Sequence, residues 1–502
     1  MVIDRSILAL ATLAAVAFPG IAASEEKPNV LFIAVDDLND WIGCMKGHPQ
    51  ALTPNMDRLA ARGVLFTNAH CAAPACNPSR AAVFSGRMPN ETGVWSNRSG
   101  SIGRLSPNTR LLPTAFSGAG YQALGTGKLL HSRGKAGFDE YFSVEQRWSP
   151  LSKKAVEYTS KELPSKGTDD PRHIVTDSRG RSIVLPLNRM PSDRKPERKG
   201  GESFDWGPFD VPDSDFGDTR ITNWAIEKLA KGFDRPFFLG VGYYRPHIPL
   251  WAPKRFFDRF ADSPGKLPAT TRDDLGDVSE RARKWALEPV TAGSHATVVK
   301  HEQWGAAVEA YLACVTYVDH EIGRLLARLD DSAYGEDTVI VLWSDHGWHL
   351  GEKQHWGKWT GWERSTKVPL IIVPPKTLAG RFAAGGSRCN QPVGLIDLYP
   401  TLLELCGVEA PGKLDGRSLV PLLREPKRST GRGVVTMFDP GNASLRTDRW
   451  RYIRYDDGSE ELYDHREDPE EWTNLAGMEE HARQRELLYG MLAPFLERDR
   501  SE

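Results

Sequence analysis

Short runs made up almost entirely of apolar residues recur along the chain, and longer polar stretches separate them. The clearest runs cover residues 29–35, 236–243, 338–344 and 368–373. A strand with one wet face alternates apolar and polar positions, whereas a strand covered on both faces is apolar throughout. The runs therefore predict central strands of a sheet that is covered on both sides.

Segments with helical periodicity lie between these runs and cover residues 53–62, 219–231, 301–329 and 397–406. In the first segment, Thr53 and Pro54 fit the N-cap and the first helical position, and Gly63 fits the stop. Gly407 stops the last segment in the same way. The alternation of strands and helices predicts an α/β fold built on a large, mainly parallel, helix-covered sheet.

Two stretches depart from this pattern and indicate how the chain is organised. Between about 151 and 218 the apolar runs give way to Lys, Arg, Pro, Ser and Asp, which indicates a surface insertion. From residue 433 onward aromatic and charged residues alternate, as in antiparallel strands with one wet face, and a helix over about 481–497 follows. We expect a main α/β unit over 24–432, with 151–205 as a variable insertion, and a small C-terminal α+β subdomain over 433–502.

The first 23 residues have the pattern of a secretory signal peptide. Arg5 precedes an apolar stretch over 7–18, and small residues lead from there to Ser24. A membrane anchor is the alternative, but a span needs about 20 apolar residues and this stretch is shorter. We therefore expect an exported protein, periplasmic or secreted, that begins near Ser24.

Composition narrows the possible functions. The 502 residues are 40% hydrophobic and 26% charged, which is ample for a large core, and the formal net charge is −2. A chain this close to neutrality has neither the basic excess typical of nucleic-acid binding nor an acidic tail. We therefore expect no nucleic-acid partner.

Six cysteines are few for an exported chain of this length, so the fold is not expected to depend on disulfides. One interpretation is that all of them pair, for example Cys71 with Cys76. The other is that Cys76 is reserved for chemistry, which leaves at least one of the remaining five unpaired. Cys314 lies in a helical apolar pattern and is expected to be a small buried residue.

The segment 76–80 reads Cys-Asn-Pro-Ser-Arg and stands directly before a helix-prone stretch. A thiol at a helix N-terminus lies in the partial positive charge of the helix, and Arg80 adds a permanent cation one turn away. Cysteines in such electropositive surroundings are reactive rather than inert. Cys76 is therefore the candidate nucleophile.

Acidic residues follow two of the predicted strands directly. Asp36 and Asp37 follow the run 29–35, and Asp345 and His346 follow the run 338–344. Ligands of open parallel sheets bind beyond the carboxyl ends of the strands, and three carboxylates meeting there would repel one another without a hard divalent cation. Each pair alone is better explained as a turn or helix cap, but two pairs placed alike favour a Ca²⁺ or Mg²⁺ site, and one imidazole does not make a zinc site.

Three further segments place a cation or an imidazole beyond a strand end; they contain Lys128 with His131, Arg245 with His247, and Lys358. Taken one at a time, each of these residues is better explained as solvated surface or as structural. Two apparent nucleotide-binding motifs fail: the glycine-rich segment 118–123 precedes its strand instead of following it, and the Gly-Lys pair at 127–128 lacks the rest of a P-loop.

With these residues in hand, the chain resembles the type I sulfatases of the alkaline-phosphatase-like superfamily, most of all the iduronate-2-sulfatase branch and its bacterial relatives. The resemblance covers about 28–475 and thins between 151 and 205. Its most specific strings are 35–38, 76–80 with 85–89, 127–131, 244–249, 344–348 with 350–352, and 461–464 ahead of 468–469.

The resemblance implies a set of roles. Ca²⁺ is held by Asp36, Asp37, Asp345 and His346. A separate maturase oxidises Cys76 to formylglycine, whose hydrated form also touches the metal, attacks sulfur and then expels sulfate. Arg80 steadies that diol, Lys128 and Lys358 neutralise the sulfate oxygens, His131 is a base and His247 is the acid that protonates the leaving oxygen.

The resemblance leaves the substrate open beyond a sulfated mono-, oligo- or polysaccharide, because the insertion matches nothing recognisable. Residues near the motifs either contact sugar or pack the pocket wall: His355, Trp356, Trp359, Trp362 and Arg245. A phosphonate or phosphate monoester hydrolase of the same superfamily is the nearest alternative. A non-catalytic polysaccharide-binding relative is the alternative of a different class.

Overall fold

The structure is a computed structural model, and it describes residues 27–106, 108–131, 136–144, 150–152, 156–163, 172–191, 202–289 and 293–497. The predicted signal peptide lies outside these residues, so export stays a prediction. Within the described part, no helix combines the length and the apolar composition that a membrane span requires.

The described residues contain twenty strands. In chain order they are β1 Asn29–Val35, β2 Val64–His70, β3 Gln122–Gly127, β4 Glu140–Phe142, β5 Val156–Leu163, β6 Arg172–Asp177, β7 Ser182–Leu185, β8 Trp206–Phe209, β9 Phe237–Tyr243, β10 Leu250–Pro253, β11 Thr338–Ser344, β12 His349–Leu350, β13 Trp356–Gly357, β14 Lys367–Val373, β15 Ser387–Cys389, β16 Val393–Gly394, β17 Val434–Asp439, β18 Asn442–Arg446, β19 Trp450–Arg454 and β20 Glu460–Asp464.

The helices of the described residues surround these strands. In chain order they are α1 Pro54–Ala60, α2 Cys76–Ser85, α3 Pro89–Thr92, α4 Ile102–Leu105, α5 Leu112–Gly118, α6 Gly217–Lys231, α7 Lys254–Phe257, α8 Glu280–Leu287, α9 His295–Lys300, α10 Trp304–Asp330, α11 Glu363–Thr366, α12 Leu398–Leu405, α13 Val420–Arg424 and α14 Ala482–Glu497.

A nine-stranded sheet forms the centre of the fold, in the order β15-β2-β14-β11-β1-β9-β3-β4, with β16 also paired to β2. All of its pairings are parallel except those of β14, which runs antiparallel to both β11 and β2. The predicted α/β fold with a mainly parallel sheet is therefore confirmed. The run 368–373 is a strand as predicted, with a direction that the apolar pattern does not encode.

Strand β1 shows why a central strand is apolar at every position. Its alternate residues Leu31, Ile33 and Val35 pack with side chains of α1, α6 and α10 on one face of the sheet. The residues between them, Val30, Phe32 and Ala34, pack with side chains of α2, α5 and α12 on the other face. Because both faces are covered, every residue of the strand is buried.

The predicted insertion contains more regular structure than its sequence indicates. Strands β5, β6 and β7 form a three-stranded antiparallel sheet, and β8 pairs in parallel with β10. Leu185 of β7 is buried, whereas Ser182 and Val184 are exposed. The apolar-run criterion missed these strands because it detects only strands that are buried on both faces.

The C-terminal region has the architecture that its alternating pattern predicts. Strands β17 to β20 form an antiparallel sheet in sequential order, and α14 covers it with Leu488 and Leu492 packed against Leu445 and Tyr452. The boundary at 433 stays a prediction. All six cysteines lie in the described part and are unpaired, so the alternative of a Cys71–Cys76 disulfide is not seen, and Cys314 is fully buried as expected.

Candidate active site

Two neighbouring parallel strands bring the predicted acidic residues together. Strands β1 and β11 pair in register, so that Val35 is opposite Ser344 at their carboxyl ends. The residues that follow, Asp36 and Asp37 on one strand and Asp345 on the other, are therefore adjacent, and the backbone N–H of Asp37 donates to Asp345 Oδ1 at 3.1 Å. The predicted meeting of these carboxylates at one sheet edge is what the structure shows.

Helix α2 begins at Cys76 and points its N-terminus at this edge. The N-cap residue Ala75 offers no side-chain acceptor, and the cap comes instead from a distant loop, because Asn97 Oδ1 accepts the N–H of Asn77 at 2.8 Å. The side-chain amide of Asn77 in turn donates to the carbonyls of residues 96, 99 and 100. The loop 96–100 and the start of the helix thus fix each other.

Arg80 lies beneath the site and joins two of the carboxylates. Its Nε donates to Asp345 Oδ2 at 2.8 Å, and its Nη2 donates to Asp36 Oδ1 at 3.2 Å. The guanidinium also donates to the carbonyl of Leu129, and all of its side chain is buried. Arginine suits this position because its planar fork presents several donors in fixed directions.

Lys128 reaches the site because two glycines let β3 and β9 approach closely at their ends. A Cβ at Gly127 would lie 2.0 Å from the carbonyl oxygen of Gly242, and one at Gly242 would lie 2.2 Å from the carbonyl oxygen of Lys128. The backbone of Gly127 is also in the left-handed region, with a φ of +71°. The Nζ of Lys128 then donates to Asp36 Oδ2 and lies 3.4 Å from the Sγ of Cys76.

The thiol of Cys76 is surrounded by cationic groups. Lys358 Nζ lies 3.0 Å from its Sγ, and His346 Nε2 lies 3.4 Å away. Burial raises the pKa of the thiol, but Lys128, Lys358 and His346 outweigh burial and hold that pKa well below its usual value. The site therefore favours negative charge at the position of Sγ.

His131 is half-buried at the edge of this group and forms a side-chain hydrogen bond that also lowers the pKa of the Cys76 thiol. It is therefore close to the position from which a base would act.

The backbone N–H of Trp359 donates to the carbonyl of Pro74 at 3.0 Å, and this bond ties the loop that carries Lys358 to the residues just before Cys76.

His247 faces the same centre from the loop that follows β9. Asp218, at the start of α6, accepts the backbone N–H groups of Tyr244 and Arg245, both at 2.9 Å, and so fixes this loop. The Nδ1 of His247 lies 2.5 Å from the carbonyl oxygen of Ile248, which leaves Nε2 facing Asp37 Oδ2 at 3.9 Å. Burial lowers the pKa of His247 to about 4, against the opposing effect of Asp37.

The donor set fits a divalent cation. Ligand atoms of Asp36, Asp37, Cys76 and His346 lie within 4.8 Å of one another, and all four residues are buried. Asp37 Oδ2 is buried and accepts no hydrogen bond from the described residues. A buried carboxylate oxygen without a donor is costly unless a cation binds it, so the geometry supports a metal site here.

Asp345 is the one predicted ligand outside this group of four. Its Oδ2 accepts from Arg80, and its Oδ1 accepts the backbone N–H groups of Asp37 and His346. Its role as a ligand stays a prediction.

Four of the five candidate sugar-contacting residues are packed in the wall. His355 contacts the carbonyls of Ala286 and Lys358, and the indole N–H groups of Trp356 and Trp362 donate to His295 and Glu461. Arg245 is fully buried and donates to the carbonyl of Pro249. Trp359 is the one residue of the five that is partly exposed. For the other four, the geometry agrees with the interpretation that they pack the wall of the pocket.

Sequence reasoning missed several residues that build the site. Asp218 fixes the His247 loop, and Ser79 Oγ donates to the carbonyl of Asp345 at 2.5 Å. Tyr311 on α10 contacts the backbone at Asp37. Ser79 lies inside the 76–80 motif and could have been found there, whereas nothing local in the sequence marks Tyr311.

Comparisons with known proteins identify the class of this chain as a sulfuric ester hydrolase. The sequence profile of the sulfatase family matches residues 28–408, and the profile described as the C-terminal part of N-sulphoglucosamine sulphohydrolase matches 351–495. The chain belongs to the sulfatase family.

Two curated relatives support the predicted family. A sulfatase of Formosa agariphila is 36% identical over 457 residues, which are 90% of this chain and 83% of that protein. The human iduronate 2-sulfatase is 29% identical over 432 residues, which are 80% of this chain and 72% of that protein. The predicted resemblance to type I sulfatases is confirmed.

Solved structures share the fold over nearly the whole chain. One is a protein in complex with its substrate D-glucosamine-2-N,6-O-disulfate, with a TM-score of 0.70, 21% identity and coverage of 95% of this chain and 99% of that chain. Another is a phosphonate monoester hydrolase of Silicibacter pomeroyi, with a TM-score of 0.72, 24% identity and coverage of 94% and 96%. At these identities the likeness shows the alkaline-phosphatase-like fold.

Proposed function

We propose that this chain is an exported sulfatase that removes sulfate from a sulfated carbohydrate, with Cys76 converted to formylglycine and a Ca²⁺ ion bound beside it. The observation that carries the proposal is the position of Cys76 Sγ at the N-terminus of α2, within 3.4 Å of Lys128 Nζ, Lys358 Nζ and His346 Nε2. The negative charge that a sulfate group carries next to this nucleophile is therefore stabilised by cationic groups that are already in place.

Lys128 and Lys358 bind the sulfate group of the substrate. Their ammonium groups lie 3.4 and 3.0 Å from Sγ, so a sulfuryl group next to the nucleophile contacts both. Preorganised charges of this kind stabilise a developing anion by roughly 3–4 kcal/mol each, because the protein does not have to reorient them during the reaction. Arg80 stabilises the arrangement from below by holding Asp36 and Asp345.

His131 and His247 handle protons on two sides of the nucleophile. His131, hydrogen-bonded to the Cys76 side chain, accepts the proton of the attacking hydroxyl. His247 directs Nε2 into the site, and because its Nδ1–H donates to the carbonyl of Ile248, only the doubly protonated ring carries a proton on Nε2. That imidazolium form donates the Nε2 proton to the departing sugar oxygen, which as an alkoxide is a poor leaving group. The hydrated aldehyde supplies one hydroxyl that attacks sulfur and a second that later expels sulfate, an exit that a simple serine lacks.

Asp36, Asp37 and His346 would hold the cation, with Asp345 next to them. A bound cation supplies Lewis-acid polarisation of the sulfate oxygens. Carboxylate oxygens in excess over one imidazole suit Ca²⁺ better than zinc, and Ca²⁺ tolerates irregular geometry better than Mg²⁺.

A sulfated carbohydrate is the substrate class that the relatives favour. One relative is named for iduronate 2-sulfate, and one structural neighbour is described with a disulfated glucosamine. A sulfated mono-, oligo- or polysaccharide outside the cytoplasm agrees with the signal-like pattern of residues 1–23.

Mass spectrometry of the peptide 63–80 tests the nucleophile. The protein is co-expressed with a formylglycine-generating maturase, alkylated and digested with trypsin. Conversion makes residue 76 about 18 Da lighter than cysteine and removes one of the two alkylation sites of this peptide, while Cys71 supplies the internal control. Two alkylated cysteines despite an active maturase would contradict the proposal.

A phosphonate or phosphate monoester hydrolase is the second candidate, because a phosphonate monoester hydrolase shares the fold with a TM-score of 0.72. The turnover of aryl sulfate, aryl phosphate and aryl phosphonate by the converted protein separates the two. A higher kcat/KM for the sulfate supports the sulfatase. A polysaccharide-binding relative without activity would release no sulfate even as the unaltered protein. It would also keep its glycan affinity after Cys76→Ala.

A further inference from the structure

Two buried hydroxyl groups fix the backbone of the segments that carry the cation ligands. We infer that Tyr311 and Ser344 are positioning residues for the cation site, through hydrogen bonds to the backbone next to Asp37 and His346. This inference rests on the proposed function, because it concerns the cation that the proposal places there. Neither residue belongs to the group of four candidate ligands.

Tyr311 holds the segment after β1 from one side. Its hydroxyl donates to the carbonyl oxygen of Asp37 at 2.8 Å and accepts the backbone N–H of Asn39 at 2.9 Å. The side chain of Tyr311 is fully buried on the long helix α10. One hydroxyl therefore bridges the two peptide groups that flank Leu38.

Asp37 needs such an anchor because its backbone is in the left-handed region, with a φ of 59°. Residues other than glycine adopt this region rarely, and at functional sites they stay there only where surrounding contacts fix it. The backbone N–H of Asp37 donates to Asp345 Oδ1, and its carbonyl is the group that Tyr311 holds. Both peptide groups of the residue are thus tied.

Ser344 connects this segment to the second one. As the last residue of β11, it accepts the backbone N–H of Leu38 at 3.0 Å and donates to the carbonyl oxygen of His346 at 2.9 Å. A shift of the Asp37 segment is therefore transmitted to the peptide of His346. The two hydroxyls keep both ligand-bearing segments in one arrangement.

The carboxylate of Asp37 is the ligand that depends most on this arrangement. Its Oδ1 accepts from Lys358 at 2.7 Å, and its Oδ2 has no donor among the described residues. The second oxygen is the one available to a cation, and it belongs to the residue whose backbone Tyr311 holds. Partners that orient metal ligands typically contribute 10–100-fold to metal affinity.

Calcium titration of the protein with unmodified Cys76 tests the inference without any enzymatic activity. Isothermal titration calorimetry gives the Ca²⁺ affinity, and the Ca²⁺-induced rise of Tm gives a second readout. We expect Tyr311→Phe and Ser344→Ala each to weaken Ca²⁺ binding about 10–100-fold and to reduce the rise of Tm.

Tyr317→Phe is the matched control. Tyr317 lies on the same helix, is fully buried and loses the same hydroxyl, but its partners are the backbone N–H and Oγ1 of Thr219, at 3.0 and 2.9 Å. We expect Tyr317→Phe to lower the Tm of the calcium-free protein. Its Ca²⁺ affinity should stay within about twofold of that of the unaltered protein, because Tyr317 orients no cation ligand.

The outcomes separate the inference from the proposal on which it rests. If the unaltered protein binds neither Ca²⁺ nor Mg²⁺, the proposed cation site is wrong and the inference falls with it. If the unaltered protein binds Ca²⁺ and both variants bind it as tightly, the hydroxyls are structural only and the inference alone is overturned. Should Tyr311→Phe lack a folded circular dichroism spectrum, Ser344→Ala decides by itself.

Discussion

Replacement of Arg80 by alanine should destabilise the whole protein as well as abolish activity. The guanidinium is fully buried and joins Asp345 at 2.8 Å to Asp36 at 3.2 Å. Alanine would leave two buried carboxylates next to Asp37 without their shared cation. Removal of one partner of a buried ion pair typically costs about 3–5 kcal/mol, since the remaining charge stays desolvated.

The expected change of Tm follows from the size of the chain. Unfolding entropy of about 2 cal/mol/K per residue gives roughly 1 kcal/mol per degree for a chain of this length. Arg80→Ala should therefore lower Tm by about 3–5 °C in the absence of divalent cations. Because a cation at the site would compensate the uncovered carboxylates, Ca²⁺ should raise the Tm of this variant more than that of the unaltered protein.

Differential scanning fluorimetry with EDTA and with Ca²⁺ measures both effects. Arg62→Ala is the control, since Arg62 pairs with Asp330 at 3.0 Å on the surface, with side chains 27% and 45% exposed. An exposed pair contributes at most about 1 kcal/mol, so this control should lower Tm by less than about 1 °C. Equal Tm changes for Arg80→Ala and Arg62→Ala would refute the claim that the buried ion pairs of Arg80 stabilise the protein more than an exposed pair does.

Three further predictions concern other parts of the molecule. His247→Ala should lower kcat for a sugar sulfate about 10²–10⁴-fold and affect 4-nitrophenyl sulfate far less, because nitrophenolate needs no proton to depart; equal losses on both substrates would contradict its role as the acid. Asn77→Ala removes the amide that holds the 96–100 loop, so trypsin should cleave after the exposed Arg98 faster, and an unchanged cleavage rate would contradict this role. Burial holds the pKa values of His70 and His349 well below that of a free histidine, so each is neutral in the folded state. The free energy of unfolding is therefore at its full value above the pKa of a histidine in the unfolded chain, near 6.5. It decreases as pH falls below that pKa, by up to about 1.4 kcal/mol per pH unit for each histidine. Urea unfolding between pH 7 and pH 5 should show this loss, and a slope that His349→Gln does not reduce would contradict it.

The central sheet and most of the site can be predicted from the sequence because their signals are local. Apolar runs mark strands buried on both faces, and the charged residues that follow a run lie at a known edge of the sheet. This rule alone predicts that Asp36 and Asp345 meet, and the register of β1 and β11 makes them neighbours. The charged residues beyond the other strand ends and the short motif at 76–80 indicate the remaining residues of the site.

What the sequence does not predict depends on contacts between distant segments. The direction of β14 is set by its pairing with β11 and β2, and an apolar run is the same in either direction. The cap of α2 comes from Asn97, in a loop with no pattern of its own. Asp218 and Tyr311 look like an ordinary first-turn acid and an ordinary core residue until the fold brings them to the site.

Sulfate release measured against the degree of conversion of residue 76 tests the central claim most directly. Preparations co-expressed with graded amounts of the maturase are analysed by peptide mass, and the same samples are assayed for inorganic sulfate released from a sulfated saccharide. We predict a rate proportional to the converted fraction, with no release at zero conversion and none from Cys76→Ala. Sulfate release from fully unconverted protein, or none from converted protein on any sulfated saccharide tested, would contradict the account.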